Sequence, residues 1–435
     1  MSAKPSGTRL DPWYGAYAAR TLGMKASETR ALFAVANRPE VVSLAGGMPF
    51  LEALPMEIVA KVTADLIATD GTTALQYGNG QGHPKLREAI VEVMAEEHMR
   101  PHPDDIVITT GSQQALDLVT RIFCDPGDVV LAEGPSYVGA LGVFRAYEAD
   151  VVHVPMDEHG LVPEALREAL AMCAKQGRTI KFLYLIPNFH NPAGVRLPMA
   201  RREEILAICQ SAGVLVVEDN AYGLLAFDGS IIPALHSLDS EGVLYLGTFS
   251  KLLAPGYRMG WASAPHAVRE RLVLASESAI LCPSHYSQLS IAAYLESVDW
   301  RGQIADYRDA YRVRCETMNE ALSEFLPECS WNIPEGGFYI WTKTPPGIDT
   351  KSMLPRATTA LVAYVSGTGF YADGQGADHM RLSFCFPTPE RIREGIRRLS
   401  GVVRRELELV EMFGHPDQLP DDLPADIDVP APDLA

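Results

Sequence analysis

Lys251 closes the stretch Gly247-Thr248-Phe249-Ser250-Lys251, which follows the apolar run Val243–Leu246. A lysine set behind a buried strand at a sheet's edge is desolvated. Desolvation and neighbouring cations lower its pKa, leaving a neutral amine able to attack a carbonyl and form a Schiff base. Four more apolar runs have chemically capable residues at the same place. Gly111-Ser112-Gln113-Gln114 follows Ile106–Thr109, and Glu133-Gly134-Pro135-Ser136-Tyr137 follows Val129–Ala132. Pro187-Asn188-Phe189-His190-Asn191-Pro192 follows Phe182–Ile186, and Glu218-Asp219-Asn220-Ala221-Tyr222 follows Val214–Val217. Any one of these is ordinary turn chemistry. Five together imply one ligand that needs a lysine, a carboxylate, a tyrosine and an anion site. Gly111-Ser112 precedes the helical stretch Gln114–Phe123, where free backbone N–H groups and a hydroxyl suit a phosphate as well as a plain N-cap. Asp219 suits a ring nitrogen that must stay protonated, or a strand-end turn.

Positioning these residues takes buried strands. The five runs have the length of fully buried strands, and the stretches Gln114–Phe123 and Pro163–Ala174 between them carry helical apolar spacing. Strands alternating with helices imply an α/β fold with a mainly parallel central sheet, whose ligands bind beyond the carboxyl ends of the strands. From about Asp306 the pattern changes to a long charged helix (Tyr307 to Phe325), strands near Phe338–Thr342 and an amphipathic helix near Pro389–Leu409, which reads as a smaller α+β domain.

At 435 residues the chain is long enough for a large and a small domain, with 47% hydrophobic and 21% charged residues. Its 37 basic against 55 acidic residues, a net charge of −18, argue against a nucleic-acid or anionic-membrane surface. Small molecules are the expected partners. The seven cysteines are scattered without a C-x-x-C pair, so neither a metal nor a disulfide framework is expected. No signal peptide or membrane span is legible, and a reducing cytoplasm is the default location. The stretch from Gly414 to Ala435 holds six Asp and five Pro without Lys or Arg, and reads as a disordered acidic tail.

Eight ordered motifs, from SLAGGMP (Ser43–Pro49) and LQYGNGQGHPKLREAI (Leu75–Ile90) through GSQQALDL, PSYVGA, LIPNFHNPAG and VEDNAYG to GTFSKLLAPGYRMGW (Gly247–Trp261) and MRLSF (Met380–Phe384), span most of the chain. In these the sequence resembles the class I/II aminotransferases of fold type I, nearest to the 2-aminoadipate and kynurenine branch. The resemblance implies pyridoxal 5'-phosphate as cofactor and a homodimer with shared active sites. It implies an N-terminal segment (1–44) contributing to the small domain and substrate pocket, a large cofactor-binding domain (45–305), a small domain (306–413) and the tail (414–435).

Residue by residue, it implies that Lys251 forms the Schiff base and shuttles the substrate's α-proton, Asp219 holds the pyridinium proton, and Tyr137 stacks on the ring. Asn191 and Tyr222 would bond the cofactor's phenolic oxygen. Gly111, Ser112, Gln113, Thr248, Ser250 and Arg258 would hold the phosphate, reached from the neighbouring subunit by Tyr77. Arg381 would grip the substrate α-carboxylate with its fork, beside Asn191, and Gly46 and Gly47 would let the N-terminal segment come close.

The sequence departs from that pattern at His190, where Gln is common, at Asn220 and Gly223, where Asp and Arg are frequent, and at Ser366–Phe370, where a Pro-Gly-Gly loop is usual. These departures imply a widened or repurposed site, with His190 a structural residue. Leu22-Gly23 stands near the arginine of dicarboxylate-using relatives, leaving Arg20, Lys25 and Arg30 as candidate specificity residues.

The function implied is an aminotransferase acting on an α-amino acid and a 2-oxo acid. The alternative is a non-transaminating enzyme with the same cofactor, performing elimination, replacement, cyclisation or carbon–carbon bond formation in specialised-metabolite biosynthesis. A regulatory protein with this fold is disfavoured, because about 40 residues precede the family-like region with no helix-turn-helix pattern.

Overall fold

The computed structural model describes residues 11–24 and 38–413, so Lys25, Arg30 and the acidic tail lie outside the described residues. Its strands are β1 (Val42–Ser43), β2 (Ile106–Thr109), β3 (Val129–Gly134), β4 (Asp150–Asp157), β5 (Gly160–Leu161), β6 (Ile180–Leu185), β7 (Leu215–Asp219), β8 (Val243–Thr248), β9 (Gly260–Ser263), β10 (Ser330–Trp331), β11 (Tyr339–Lys343), β12 (Val362–Ala363), β13 (Val365–Ser366) and β14 (His379–Ser383).

Eight of these form one sheet in the order β2-β9-β8-β7-β6-β3-β4-β5. Four neighbouring pairs within it are parallel, from β4 through β3, β6 and β7 to β8. β9 runs antiparallel to both β2 and β8, so β2 points the same way as the parallel strands. All five expected strand ends therefore emerge on one edge. Lys251 follows β8, which is an inner strand and not one at the sheet's margin.

The strands are apolar on both faces because helices cover both faces. Val130, Ala132, Tyr184 and Val217 pack with Leu118 and Val119 of the helix Ser112–Phe123 on one side. Val129, Leu131, Leu183 and Val216 pack with Leu166 of the helix Pro163–Lys175 and Ile205 of the helix Met199–Ala212 on the other.

A second, antiparallel sheet runs β10-β11-β14-β13. The N-terminal segment is sewn to this region: β1 pairs in parallel with β12, and the Ser383 N–H donates to the Leu44 carbonyl. The long helix spans Trp300–Phe325, capped by the Asp299 carboxylate accepting the Gly302 N–H, so a division at 305/306 falls inside it.

Three strands of the large sheet went unseen in the sequence. β4 lies toward the sheet's margin with most residues half-buried, so polar letters interrupt its apolar run, and β5 and β9 are short. Among the described residues no helix is long and apolar enough to cross a membrane.

Candidate active site

A cavity of about 380 Å³ opens beyond the carboxyl ends of the large sheet. It is lined by Gly111, Ser112 and Gln113 after β2, Tyr137 after β3, Asn191 after β6, Asp219 and Tyr222 at the end of β7, Thr248, Ser250 and Lys251 at the end of β8, and by Gly47, Arg258 and Arg381. Of the residues expected to hold cofactor or substrate, all but Gly46 and Tyr77 meet there. Tyr77 is 76% exposed and lies outside the cavity.

Lys251 Nζ donates to the Gly47 carbonyl at 2.7 Å. Burial brings its pKa down to about 8, opposed by Cys385 and aided by the charges of Arg381 and Arg258. A neutral amine is thus accessible near neutral pH, as nucleophilic and proton-transfer chemistry both require.

Asp219 ends β7 with its carboxylate buried, accepting the Tyr184 hydroxyl at 2.7 Å. Burial pushes it up to about 6, against the lowering effect of that hydrogen bond. A buried carboxylate short of partners suits a ring nitrogen that brings its own proton. Tyr137, beside it, is pushed up to about 12 by burial and then by the Asp219 charge, so its phenol stays neutral.

At the other end, Gly111 caps the helix Ser112–Phe123 at φ 91°, a left-handed conformation that favours glycine. A Cβ there would lie 2.9 Å from Arg258 Nη2. No side chain caps this helix, so its first N–H groups and positive dipole end face the cavity. Thr248 Oγ1 donates to Ser250 Oγ at 3.0 Å and accepts the Ser250 N–H at 3.1 Å, fixing both hydroxyls. Arg258 itself sits at φ 51°, a strained conformation of the kind stored at functional sites. An anion cradle at one end and a proton-sharing carboxylate at the other, with a neutralisable lysine between, fit pyridoxal 5'-phosphate.

Arg381, on β14, is 3% exposed. Its Nη1 donates to Asn191 Oδ1 at 2.8 Å and its Nη2 to the Ala45 carbonyl at 2.6 Å, while the guanidinium lies over the Tyr339 ring at 4.2 Å and the Phe370 ring at 5.1 Å. Such packing fixes a fork suited to a carboxylate. Gly47 is needed for close approach: a Cβ there would lie 2.0 Å from the Tyr339 hydroxyl.

The departures from the family pattern do not widen this cavity. His190 is buried, its Nδ1 accepting the Ala193 N–H at 3.2 Å and its Nε2 lying 3.1 Å from Glu133 Oε2, which makes it structural. Asn220 turns away from the cavity and donates to Glu97 Oε1 at 2.7 Å. A Cβ on Gly223 would fall 1.9 Å from that same oxygen. Glu97 is fully buried, pushed up to about 7 by burial and then by Glu218, and also accepts the Tyr245 hydroxyl at 3.1 Å. Both departures therefore accommodate one buried carboxylate behind β7. The turn Gly367–Phe370 packs Phe370 under Arg381. Arg20 lies outside the cavity lining, and Lys25 and Arg30 fall outside the described residues.

Sequence reasoning missed Val138, Ile186 and Tyr339 in the lining. The signal for Tyr339 was Gly336-Gly337 ahead of an aromatic strand, where a Cβ on either glycine would lie 2.5 Å from Phe189.

The family model for aminotransferase class I and II matches residues 39–399. The chain is 41% identical over 396 residues to the aromatic-amino-acid aminotransferase 1 of Thermococcus litoralis, covering 90% of this chain and 95% of that one. Among solved structures it is similar to the Pyrococcus horikoshii kynurenine aminotransferase in complex with PMP, with TM-score 0.86, 38% identity, and 90% and 97% of the two chains covered. It is similar as well to LysN, the alpha-aminoadipate aminotransferase of Thermus thermophilus complexed with N-(5'-phosphopyridoxyl)-L-leucine, with TM-score 0.85, 35% identity, and 92% and 100% covered.

Proposed function

The chain belongs to the class I and II aminotransferases, and from that membership and the lining of its cavity we propose that its amino donor is an aromatic or long apolar amino acid. It is a pyridoxal 5'-phosphate-dependent aminotransferase, moving an amino group between an α-amino acid and a 2-oxo acid. The similarity of relatives that are themselves aminotransferases favours this over elimination, replacement or bond-forming chemistry.

When bound, the cofactor supplies the electron sink that makes the donor's α-proton acidic. The protein supplies the rest. Ser112, Gln113, Thr248, Ser250 and Arg258 would hold the phosphate, Asp219 would keep the ring nitrogen protonated, and Asn191 and Tyr222 would bond the phenolic oxygen. Tyr137 would pack on the ring face. Arg381 takes the α-carboxylate, which presents the α-hydrogen to Lys251 Nζ. Lys251, with its pKa near 8, takes that proton as a base and returns it as an acid.

The observation behind the donor class is the count of cations. Among the described lining residues the cations are Lys251, Arg258 and Arg381, and each already has a role. None of these described lining cations is left for a side-chain carboxylate, whereas Val138, Ile186 and Tyr339 offer apolar and aromatic surface. A dicarboxylate would leave a charge poorly paired, at a cost of about two orders of magnitude in rate. Stopped-flow measurement of 2-oxo acid release from phenylalanine, tyrosine and leucine against glutamate and 2-aminoadipate tests this. Faster release from the dicarboxylates would overturn the donor class.

We propose further that the active enzyme is a homodimer in which Tyr77 reaches the partner's phosphate site. Its exposure outside its own cavity, together with exposed Leu274, Ile280 and Leu281, supports that reading. Sedimentation at equilibrium should return twice the chain mass, and a monomer mass would overturn it. The strand Val42–Ser43 and the residues from the helix Trp300–Phe325 to Phe413 act as the small domain that carries Arg381, and the residues between them as the cofactor-binding domain. The seven scattered thiols suit a cytoplasmic setting.

A further inference from the structure

His153 stands on β4, outside the cavity lining, where it joins two parts of the site. Its Nδ1 lies 2.9 Å from the Glu133 carbonyl, and its Nε2 accepts the Ala372 N–H at 2.9 Å. A carbonyl can only accept and a backbone amide can only donate. The partners therefore fix the neutral imidazole with its proton on Nδ1.

What the ring joins gives this bond its consequence. Glu133, near the end of β3, leads into the loop that ends in Tyr137, which lines the cavity. Ala372 follows the turn Gly367–Phe370, whose Phe370 ring lies 5.1 Å from the Arg381 guanidinium and edge-on to Trp341. A second stitch lies alongside, the Ser136 N–H donating to the Phe370 carbonyl at 2.8 Å. The Tyr371 ring packs edge-on against His153 at 5.4 Å.

We propose that His153 is a positioning residue for the substrate carboxylate: it clips the turn that supports Arg381 to the loop that carries Tyr137. This rests on the reading of Arg381 as the carboxylate fork. A proton on Nε2 would turn an acceptor into a donor facing another donor, and the clip would open.

The charged and titratable groups around the ring are few. Asp373, beyond Ala372, favours the protonated ring, while burial, the larger effect, holds its pKa below the ordinary imidazole value. Tyr371 is neutral, pushed up to about 12 by burial and by Asp378 and Asp373. Asp378 is engaged by His379 at 2.6 Å and lies 3.5 Å from Lys343. The Glu133 carboxylate points away, accepting the Ile186 N–H at 2.7 Å near His190. Because the folded pKa is lowered, the clip holds at neutral pH and opens as pH falls through that lowered value.

The test compares His153→Ala and His153→Gln with the parent in the holoenzyme. His153→Ala should raise the donor's KM about fivefold while kcat moves less than about twofold. His153→Gln, whose amide oxygen can accept the Ala372 N–H, should restore KM and abolish its rise in acid. Calorimetric binding of 3-phenylpropionate, a carboxylate that cannot react, should weaken in His153→Ala by the same factor. An unchanged KM in His153→Ala, or the parent's acid profile in His153→Gln, would overturn the proposal. Arg381→Gln is the control. If it weakens 3-phenylpropionate binding at least about tenfold while His153→Ala does not, the clip fails alone. If neither weakens it, the reading of Arg381 fails and the clip with it.

Discussion

Lys251→Ala should lower kcat by at least about four orders of magnitude while the protein still binds pyridoxal 5'-phosphate. The amine at this position is both the covalent anchor and the base, and no neighbouring group can replace it. Cys385 is buried with its thiol pKa raised, and Arg258 and Arg381 are committed to the phosphate and the carboxylate. The phosphate cradle and Asp219 do not depend on the lysine, so the cofactor should be retained, though without its lysine-linked visible band. Lys251→Arg should not restore activity, since a guanidinium cannot act as a base near neutral pH. Added methylamine should restore part of it in Lys251→Ala, because a free amine can enter the space left by the side chain. The measurement is steady-state kinetics with and without methylamine, alongside the absorbance spectrum. Turnover by Lys251→Ala within tenfold of the parent would remove Lys251 from the chemistry.

Asp219→Asn should lower kcat by about two to three orders of magnitude, the scale expected when one partner of a buried charge pair is removed. The same substitution should act on stability in the opposite direction when the cofactor is absent. Asp219 is raised to about 6 in the fold from an ordinary 3.8. A carboxylate with a raised folded pKa favours folding at low pH, and that contribution is lost as pH rises through about 6. Above that point the cofactor-free protein holds a buried, poorly compensated charge, at a cost on the order of 2–3 kcal/mol. Cofactor-free Asp219→Asn should therefore melt higher than the parent near pH 8, with the gap closing toward pH 5. With cofactor bound the order should reverse, because the protonated ring nitrogen compensates the charge. Thermal melting of both proteins, loaded and stripped, at two pH values checks the sign. A cofactor-free Asp219→Asn less stable than the parent near pH 8 would contradict the assigned environment.

The architecture was legible wherever burial leaves continuous apolar letters. β2, β3, β6, β7 and β8 are sealed on both faces, so each appears as a short apolar run, and the residue after each run falls at the sheet edge where a ligand can sit. That is why Lys251, Asp219, Asn191 and Ser112 could be placed on one site from their letters. β4 could not be read in the same way, because most of its residues are half-buried. Asn220 and Gly223 were misread as changes to the cavity. A motif letter does not say which way a side chain turns, and their partner Glu97 lies 123 residues before Asn220. Tyr339 and His153 were hidden for a related reason: each matters through contacts between the two sheets' surroundings, which no local pattern records. Tyr77 became legible only through family resemblance, since its proposed target belongs to a second copy of the chain.

The most direct test of the central claim is a single turnover without acceptor. The holoenzyme is mixed with a donor amino acid from the aromatic class, and 2-oxo acid and absorbance are followed together. The expected result is one 2-oxo acid per subunit, loss of the lysine-linked band, and recovery of that band on adding a 2-oxo acid. Continued product formation without an acceptor, or loss of the band with no 2-oxo acid released, would contradict an aminotransferase.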